Sequence, residues 1–144
     1  MVLITGGLGY LGGRIAEYLI QSGFQVRIGT SQKYPDIPNI LKTCDVVTID
    51  LNNDLSLYEA TIGVTHVIHL AALNAKDSEE NPESALLING LGTYKLLKAS
   101  EENDVQSFIY FSTVHVYGSP LCGLIDESTQ TKPLHHYSIS HKTA

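Results

Sequence analysis

The apolar run Met1-Val2-Leu3-Ile4 passes without a break into Thr5-Gly6-Gly7-Leu8-Gly9-Tyr10-Leu11-Gly12, and few folds accept that junction. An apolar tetrapeptide followed by glycines at 6, 9 and 12 predicts a buried strand, a tight turn and the start of a helix. Gly6 permits the turn, Gly9 lets backbone N–H groups approach a ligand with no Cβ in the way, and Gly12 allows the helix to lie close to the sheet. The helix, from Tyr10 to about Ser22, points the positive end of its dipole at whatever the turn holds. A pyrophosphate suits such a turn, so the junction reads as a dinucleotide site. A glycine-rich surface turn is the plainer alternative, and the strand before it and the helix after it weigh against that. A triphosphate-binding loop would end in Gly-Lys-Ser/Thr, whereas Gly13 and Arg14 follow Gly12 here.

Strand-type apolar runs recur at residues 25–29, 45–50, 65–70 and 107–112, mostly separated by helical stretches. This alternation predicts an α/β fold on a parallel sheet whose strands are buried on both faces. The first helix carries Leu11, Ile15, Leu19 and Ile20 on one side and ends at Ser22-Gly23. A shorter one starts at the cap Asn53-Asp54 and stops at Gly63. The longest opens at Asn81-Pro82 and runs to about Asn103 with Leu86, Leu87, Leu91, Leu96 and Leu97. Residues 32–42 form a crossover without a clear pattern, and Asp77-Ser78-Glu79-Glu80 reads as a solvated loop rather than a metal site.

The 144 residues are 43% hydrophobic, enough for one domain with a real core. The formal charge is −6 and the nine Lys and Arg residues form no stripe, which argues against nucleic acid and anionic membranes as partners. No apolar run approaches the ~18 residues of a membrane span, and no basic segment marks a secretory signal, so the cytoplasm is expected. Cys44 and Cys122 are isolated and read as reduced thiols.

With these motifs in order, the chain resembles the extended short-chain dehydrogenase/reductase family, in particular its nucleotide-sugar epimerases and dehydratases. The likeness runs through Thr5–Gly12 in the turn, Asp50-Leu51 after the third strand, and Val67-Ile68-His69-Leu70-Ala71-Ala72 on the fourth. It continues through Asn89 and Gly92-Thr93 in the long helix to Phe111-Ser112-Thr113 and Val116-Tyr117-Gly118 on the fifth. The resemblance implies a Rossmann-type doubly wound sheet of order 3-2-1-4-5. It implies cofactor contacts from Gly6, Gly9, Tyr10, Leu11 and Gly12, from Asp50 to the adenine amino group with Leu51 beside it, and from Leu70, Ala71 and Ala72 along the nicotinamide ribose. Asn89, Ser112, Tyr137 and His141 complete that set. Thr113 matches the family's catalytic Ser/Thr, placed to hydrogen-bond the substrate oxygen, and Tyr137 matches its catalytic tyrosine.

A phenol titrates near ~10, so a tyrosine acting as base at neutral pH needs a positive neighbour. In the family a lysine four residues on supplies one; here position 141 is His and the lysine is Lys142. At about 100° per residue, an i+4 partner lies ~40° from the tyrosine around the helix and an i+5 partner ~140° away. Lys142 therefore does not stand in, while His141 keeps the right face and is expected to position the ribose and partly support the tyrosinate. A lost catalytic set is the competing reading, against which Thr113 and Tyr137 are both retained.

After the second strand, where an acid would bind the ribose hydroxyls of NAD, the chain has Gly29-Thr30-Ser31-Gln32-Lys33. Thr30, Ser31 and Lys33 lean the expectation towards NADP over NAD, although a loop indifferent to the 2′-phosphate fits as well. Residues 119–136 would flank a substrate and hold Cys122, Asp126, Glu127, His135 and His136; the adjacent imidazoles read as loop or pocket lining rather than metal ligands. His69, inside an apolar strand, reads as a core histidine. Family members run to about twice this length, so residues 1–144 are expected to be an NAD(P)-binding domain, the N-terminal part of a larger enzyme or a truncated product, without the substrate domain.

The function expected is an NAD(P)-dependent epimerase, dehydratase or reductase acting on a nucleotide-activated sugar or another small carbonyl or hydroxyl substrate. An NADPH-dependent carbonyl reductase and a non-catalytic dinucleotide sensor are the alternatives. The resemblance also implies a homodimer paired through the long helix and the tyrosine helix.

Overall fold

The computed structural model describes residues 1–121 and 123–144, so Cys122 lies outside the described residues. Two compact units divide the chain: Met1–Ala71 with Lys95–Phe111, and Ala72–Tyr94 with Ser112–Ala144.

The first unit is built on five parallel strands, β1 (Val2–Thr5), β2 (Val26–Thr30), β3 (Asp45–Thr48), β4 (His66–His69) and β5 (Ser107–Tyr110), in the order β3-β2-β1-β4-β5. That is the expected order. The central strand pairs on both sides, Val2 with Val26 and His66, Thr5 with Gly29 and His69. Alternation along β1 sends Val2 and Ile4 to one face, where they pack with Ala16, Val26, Ile28 and Leu41, and Leu3 to the other. Fully burying a side chain such as Ile4 or Leu57 contributes roughly 1.5–3 kcal/mol. Helix α1 (Tyr10–Gln21) lays Ile15, Leu19 and Ile20 against that cluster and ends at Gly23, whose φ of +85° closes it. Helix α2 (Asp54–Thr61) has Asn53 as N-cap, its side chain accepting the Ser56 N–H. Thr61 Oγ1 donates towards the Ala99 carbonyl at 3.2 Å, and Lys95 Nζ meets Asp54 at 2.8 Å.

Two expectations fail here. The outer strands are not buried on both faces: β3 exposes Asp45, and Ile109 of β5 is 49% exposed, since each edge strand has one neighbour. The fifth strand also stops at Tyr110, so Ser112 and Thr113 lie beyond it and Val114–Tyr117 is a 3-10 turn. In the crossover of residues 32–42, one 3-10 turn forms at Asn39–Leu41. Burial pushes the half-buried Cys44 thiol up, which keeps it protonated.

In the second unit Asp77–Glu80 is not a loop. It belongs to helix α3 (Ala75–Glu80), capped by the Asn74 side chain accepting the Asp77 N–H. Local capping prevails over the run of charges. The long helix is three pieces: α4 (Pro82–Ala85), a π-helical turn (Leu86–Leu91) and α5 (Gly92–Glu102), the last assigned from Lys95 onward to the first unit, with Asn81 as cap and Pro82 in the first turn as expected. The π turn buries Asn89 and Gly90 while Leu86, Leu87 and Leu91 stay exposed. Helix α6 (His136–Thr143) packs on it: a Cβ on Gly90 would stand 3.1 Å from Thr143 Cγ2.

Candidate functional site

The glycine turn follows β1 as a backbone cradle. Gly6 has φ +67°, and a Cβ there would stand 3.1 Å from the Ala71 nitrogen. Gly9 is the N-cap of α1 and offers no side-chain cap, and no acid occupies the first turn. The positive helix end is thus left for an external anion. A Cβ on Gly12 would run into the Gly6 carbonyl oxygen and stand 2.7 Å from Gly7 Cα, so this glycine seats the helix on the turn rather than on the sheet. Contact with the sheet falls to Gly7, whose Cβ would meet Ile28 Cγ2 at 2.9 Å. Tyr10 and Leu11 are exposed, and the Arg14 guanidinium lies 5.3 Å above the Tyr10 ring.

Other residues of the first unit gather at the carboxyl ends of the same strands, where parallel sheets bind ligands. Thr5 Oγ1 accepts the Leu70 and Ala71 N–H groups, both at 3.2 Å, and its hydroxyl donates to His69 Nδ1 at 2.6 Å. With both acceptor positions filled, the hydroxyl has only its proton to offer the imidazole. This fixes the backbone facing Gly6. His69 is fully buried beside Phe108 and Tyr110, as a core histidine should be. Thr30 is buried and accepts the Gln32 N–H at 3.2 Å, while Ser31 and Lys33 are exposed. Asp50 is exposed, its Oδ1 accepting the Asn52 N–H at 2.9 Å, and Leu51 is buried.

Thr113, Tyr137, His141 and Asn89 all belong to the second unit. The Tyr137 and His141 rings meet edge to face, centroids 4.5 Å apart, as one turn of helix requires. His141 is buried, and burial pushes its pKa below the ordinary imidazole value. It is therefore neutral near pH 7 and supplies no positive charge to the phenol. Lys142 is exposed. Thr113 caps the 3-10 turn, its hydroxyl oxygen accepting the His115 N–H at 3.3 Å, which leaves its hydrogen for donation. Asn89 is committed within the unit: its Oδ1 accepts the Leu73 N–H at 2.7 Å and its Nδ2 donates to the Ser140 hydroxyl at 2.9 Å and the Leu73 carbonyl at 3.3 Å. Both amide hydrogens are used, so it braces the site rather than reaching out as a donor. Ala72 and Ser112 are exposed.

The model of the NAD-dependent epimerase/dehydratase family matches residues 2–144. The chain belongs to that family. It is 33% identical over 141 residues to UDP-glucose 4-epimerase of Halalkalibacterium halodurans, covering 94% of this chain and 41% of the relative. Among solved structures it is similar to the UDP-glucose 4-epimerase of Thermus thermophilus complexed with NAD, with 28% identity, a TM-score of 0.85 and coverage of 97% and 47%. It is also similar to MoeE5 in complex with UDP-glucuronic acid and NAD, with 29% identity, a TM-score of 0.83 and coverage of 99% and 46%. The chain spans less than half the length of each of these proteins.

An NAD-type nucleotide fits the residues of this family member: the bare, uncapped start of α1 suits a diphosphate, and a Cβ on Gly6, Gly9 or Gly12 would fill space the backbone uses. Several contributors have no role in the sequence reading. Gly7 and Thr5 are hidden inside the glycine motif, although a hydroxyl ending an apolar strand is a visible signal. Ser140 holds Asn89 and donates to the Tyr137 carbonyl at 2.9 Å, a buried serine that only the fold reveals. His135, expected to line a loop or pocket, is the N-cap of the tyrosine helix. Glu79, expected to be solvated, accepts the His136 N–H of that helix at 2.9 Å. No helix among the described residues is long and apolar enough to cross a membrane.

Proposed function

We propose that this chain is the nucleotide-binding and proton-transfer part of an epimerase/dehydratase-type oxidoreductase acting on a nucleotide-activated sugar, with UDP-glucose the first substrate to try. The observation that carries the reading is Tyr137 packed on His141 within α6, in the same unit as the Thr113 hydroxyl.

Bound nicotinamide would supply a hydride acceptor and, in its oxidised form, the positive charge that a phenol needs to act as a base. Tyr137 would take the proton from the sugar hydroxyl as its carbon is oxidised, and would return it to the oxygen as that carbon is reduced again. Thr113 donates its hydroxyl hydrogen to the same oxygen and stabilises the charge that grows there. Gly6, Gly9 and Gly12 with the first turn of α1 would hold the diphosphate, and Asp50, Leu70, Ala71 and Ala72 would line its adenosine and ribose parts. His141 serves as a neutral contact for the nicotinamide ribose and for the phenol, without the charge a lysine would contribute. The loop Thr30-Ser31-Gln32-Lys33 has no acid to repel a 2′-phosphate, so NADP is admitted beside NAD.

The test is conversion of UDP-glucose to its 4-epimer by the natural full chain with NAD or NADP. Tyr137→Phe is expected to lower turnover by about 10²–10⁴-fold with nucleotide affinity unchanged, the usual range for loss of a positioned acid–base group. Turnover at the wild-type rate in Tyr137→Phe would end this reading. Net consumption of NADPH with a simple carbonyl would favour a reductase instead.

A further inference from the structure

We propose that His135 is a positioning residue for Tyr137, fixing the phenol relative to the Thr113 hydroxyl through a column of rings. The inference rests on Tyr137 being the proton carrier. Four contacts make the column, all within the second unit. The Thr113 hydroxyl oxygen accepts the His115 N–H at 3.3 Å. The His115 ring meets the His135 ring edge-on, with centroids 5.2 Å apart and planes at 67°. His135 in turn lies parallel to Tyr137 within 9°, centroids 6.3 Å apart, an offset stack. His141 meets the phenol edge to face, centroids 4.5 Å apart. The phenol thus packs with two imidazoles, one of which leads back to Thr113.

The His135 ring is not free to turn. Its Nδ1 accepts the Ser138 N–H at 3.3 Å, and the Ser138 hydroxyl oxygen accepts the His135 N–H at 3.3 Å, a reciprocal capping box. The Ser138 hydroxyl also donates to the His135 carbonyl at 2.8 Å. Asn, Asp or Ser would cap this helix at least as well, and none of them carries a ring. A histidine here does what those residues cannot: it caps the helix that bears the phenol and braces the phenol's face with the same side chain. Proton transfer needs that placement, since a shift of about 1 Å can lower a rate by about 10²-fold.

Two variants of the natural full chain separate the two jobs, measured with NAD and UDP-glucose. His135→Asn keeps the cap and removes the ring. It is expected to lower kcat by about tenfold or more, with KM and Tm unchanged, and to erase the ring-current shift of the Tyr137 resonances, which are assigned by comparison with Tyr137→Phe. His135→Phe keeps a ring face and removes the acceptor; kcat should stay near the wild-type value while Tm falls by a few degrees. Wild-type kcat and unchanged Tyr137 resonances in His135→Asn would overturn the inference, as would a loss of kcat in a folded His135→Phe equal to that in His135→Asn. Wild-type turnover in Tyr137→Phe would defeat the assignment of Tyr137 itself, and the Tyr137 resonances of His135→Asn would then decide whether the bracing exists.

Discussion

The glycine cradle and the tyrosine helix are made of different material. Around Gly6, Gly9 and Gly12 the geometry is backbone against backbone, and the side chains that matter are those that are missing. Around Tyr137 it is side chain against side chain: two imidazoles on the phenol and, within the same unit, a serine on Asn89. A backbone site tolerates almost no change at its glycines, because no rotamer can move a carbonyl out of the way. A side-chain site can exchange a partner and repack; position 141 holds a buried, neutral imidazole.

The sharpest way to break that contrast is Gly12→Ala. The new Cβ would be driven into the Gly6 carbonyl oxygen and to within 2.7 Å of Gly7 Cα, so the turn has to move. Overpacking of this kind costs about 1–3 kcal/mol, and nucleotide affinity should fall about tenfold or more, read by calorimetric titration of NAD. Wild-type affinity with a wild-type Tm would mean that the cradle is not what binds. Next in size is Thr5→Val, which keeps the shape and removes the oxygen that accepts the Leu70 and Ala71 N–H groups and donates to His69. Lost buried hydrogen bonding of this sort costs about 1–3 kcal/mol, a drop of roughly 2–12 °C in Tm. An unchanged melting curve would show that the Ala71 backbone needs no such tether.

The same contrast explains what the sequence could and could not disclose. The Asn53 and Asn81 caps, the Pro82 start and the Gly23 stop follow from local rules about φ, capping and period, and those rules act within a few residues, whereas the strand order comes from the family resemblance. Asp77–Glu80 misleads as sequence because its charges outweigh the Asn74 cap three residues before Asp77. The π turn at Leu86–Leu91 is invisible there, since an extra residue in one turn leaves no mark on composition. Pairs such as Asn89 with Ser140, or His115 with His135, join residues 51 and 20 positions apart, and no local pattern announces them. His135 shows the limit most plainly: read as part of an extended loop it has no partner, and one residue later the helix begins.

The smallest expected effect is the most specific to position 141. Burial lowers the pKa of His141 in the folded chain, whereas in the unfolded chain an imidazole titrates near ~6.5. Between the lowered value and ~6.5 the unfolded chain binds more protons, so stability rises with pH across that window and is flat above it. Acidification below about pH 6.5 should therefore destabilise the fold through this residue, with no contribution from it at pH 7 and above. His141→Gln, which cannot titrate, should remove that part of the acid-side slope and leave the neutral Tm comparatively unaffected. Tm measured against pH for both chains isolates the effect, because the other five histidines are common to the two. Parallel curves would mean that His141 is as easily protonated folded as unfolded; the imidazole against Tyr137 could then carry the charge of the missing lysine, and the two regions would differ less than their geometry indicates.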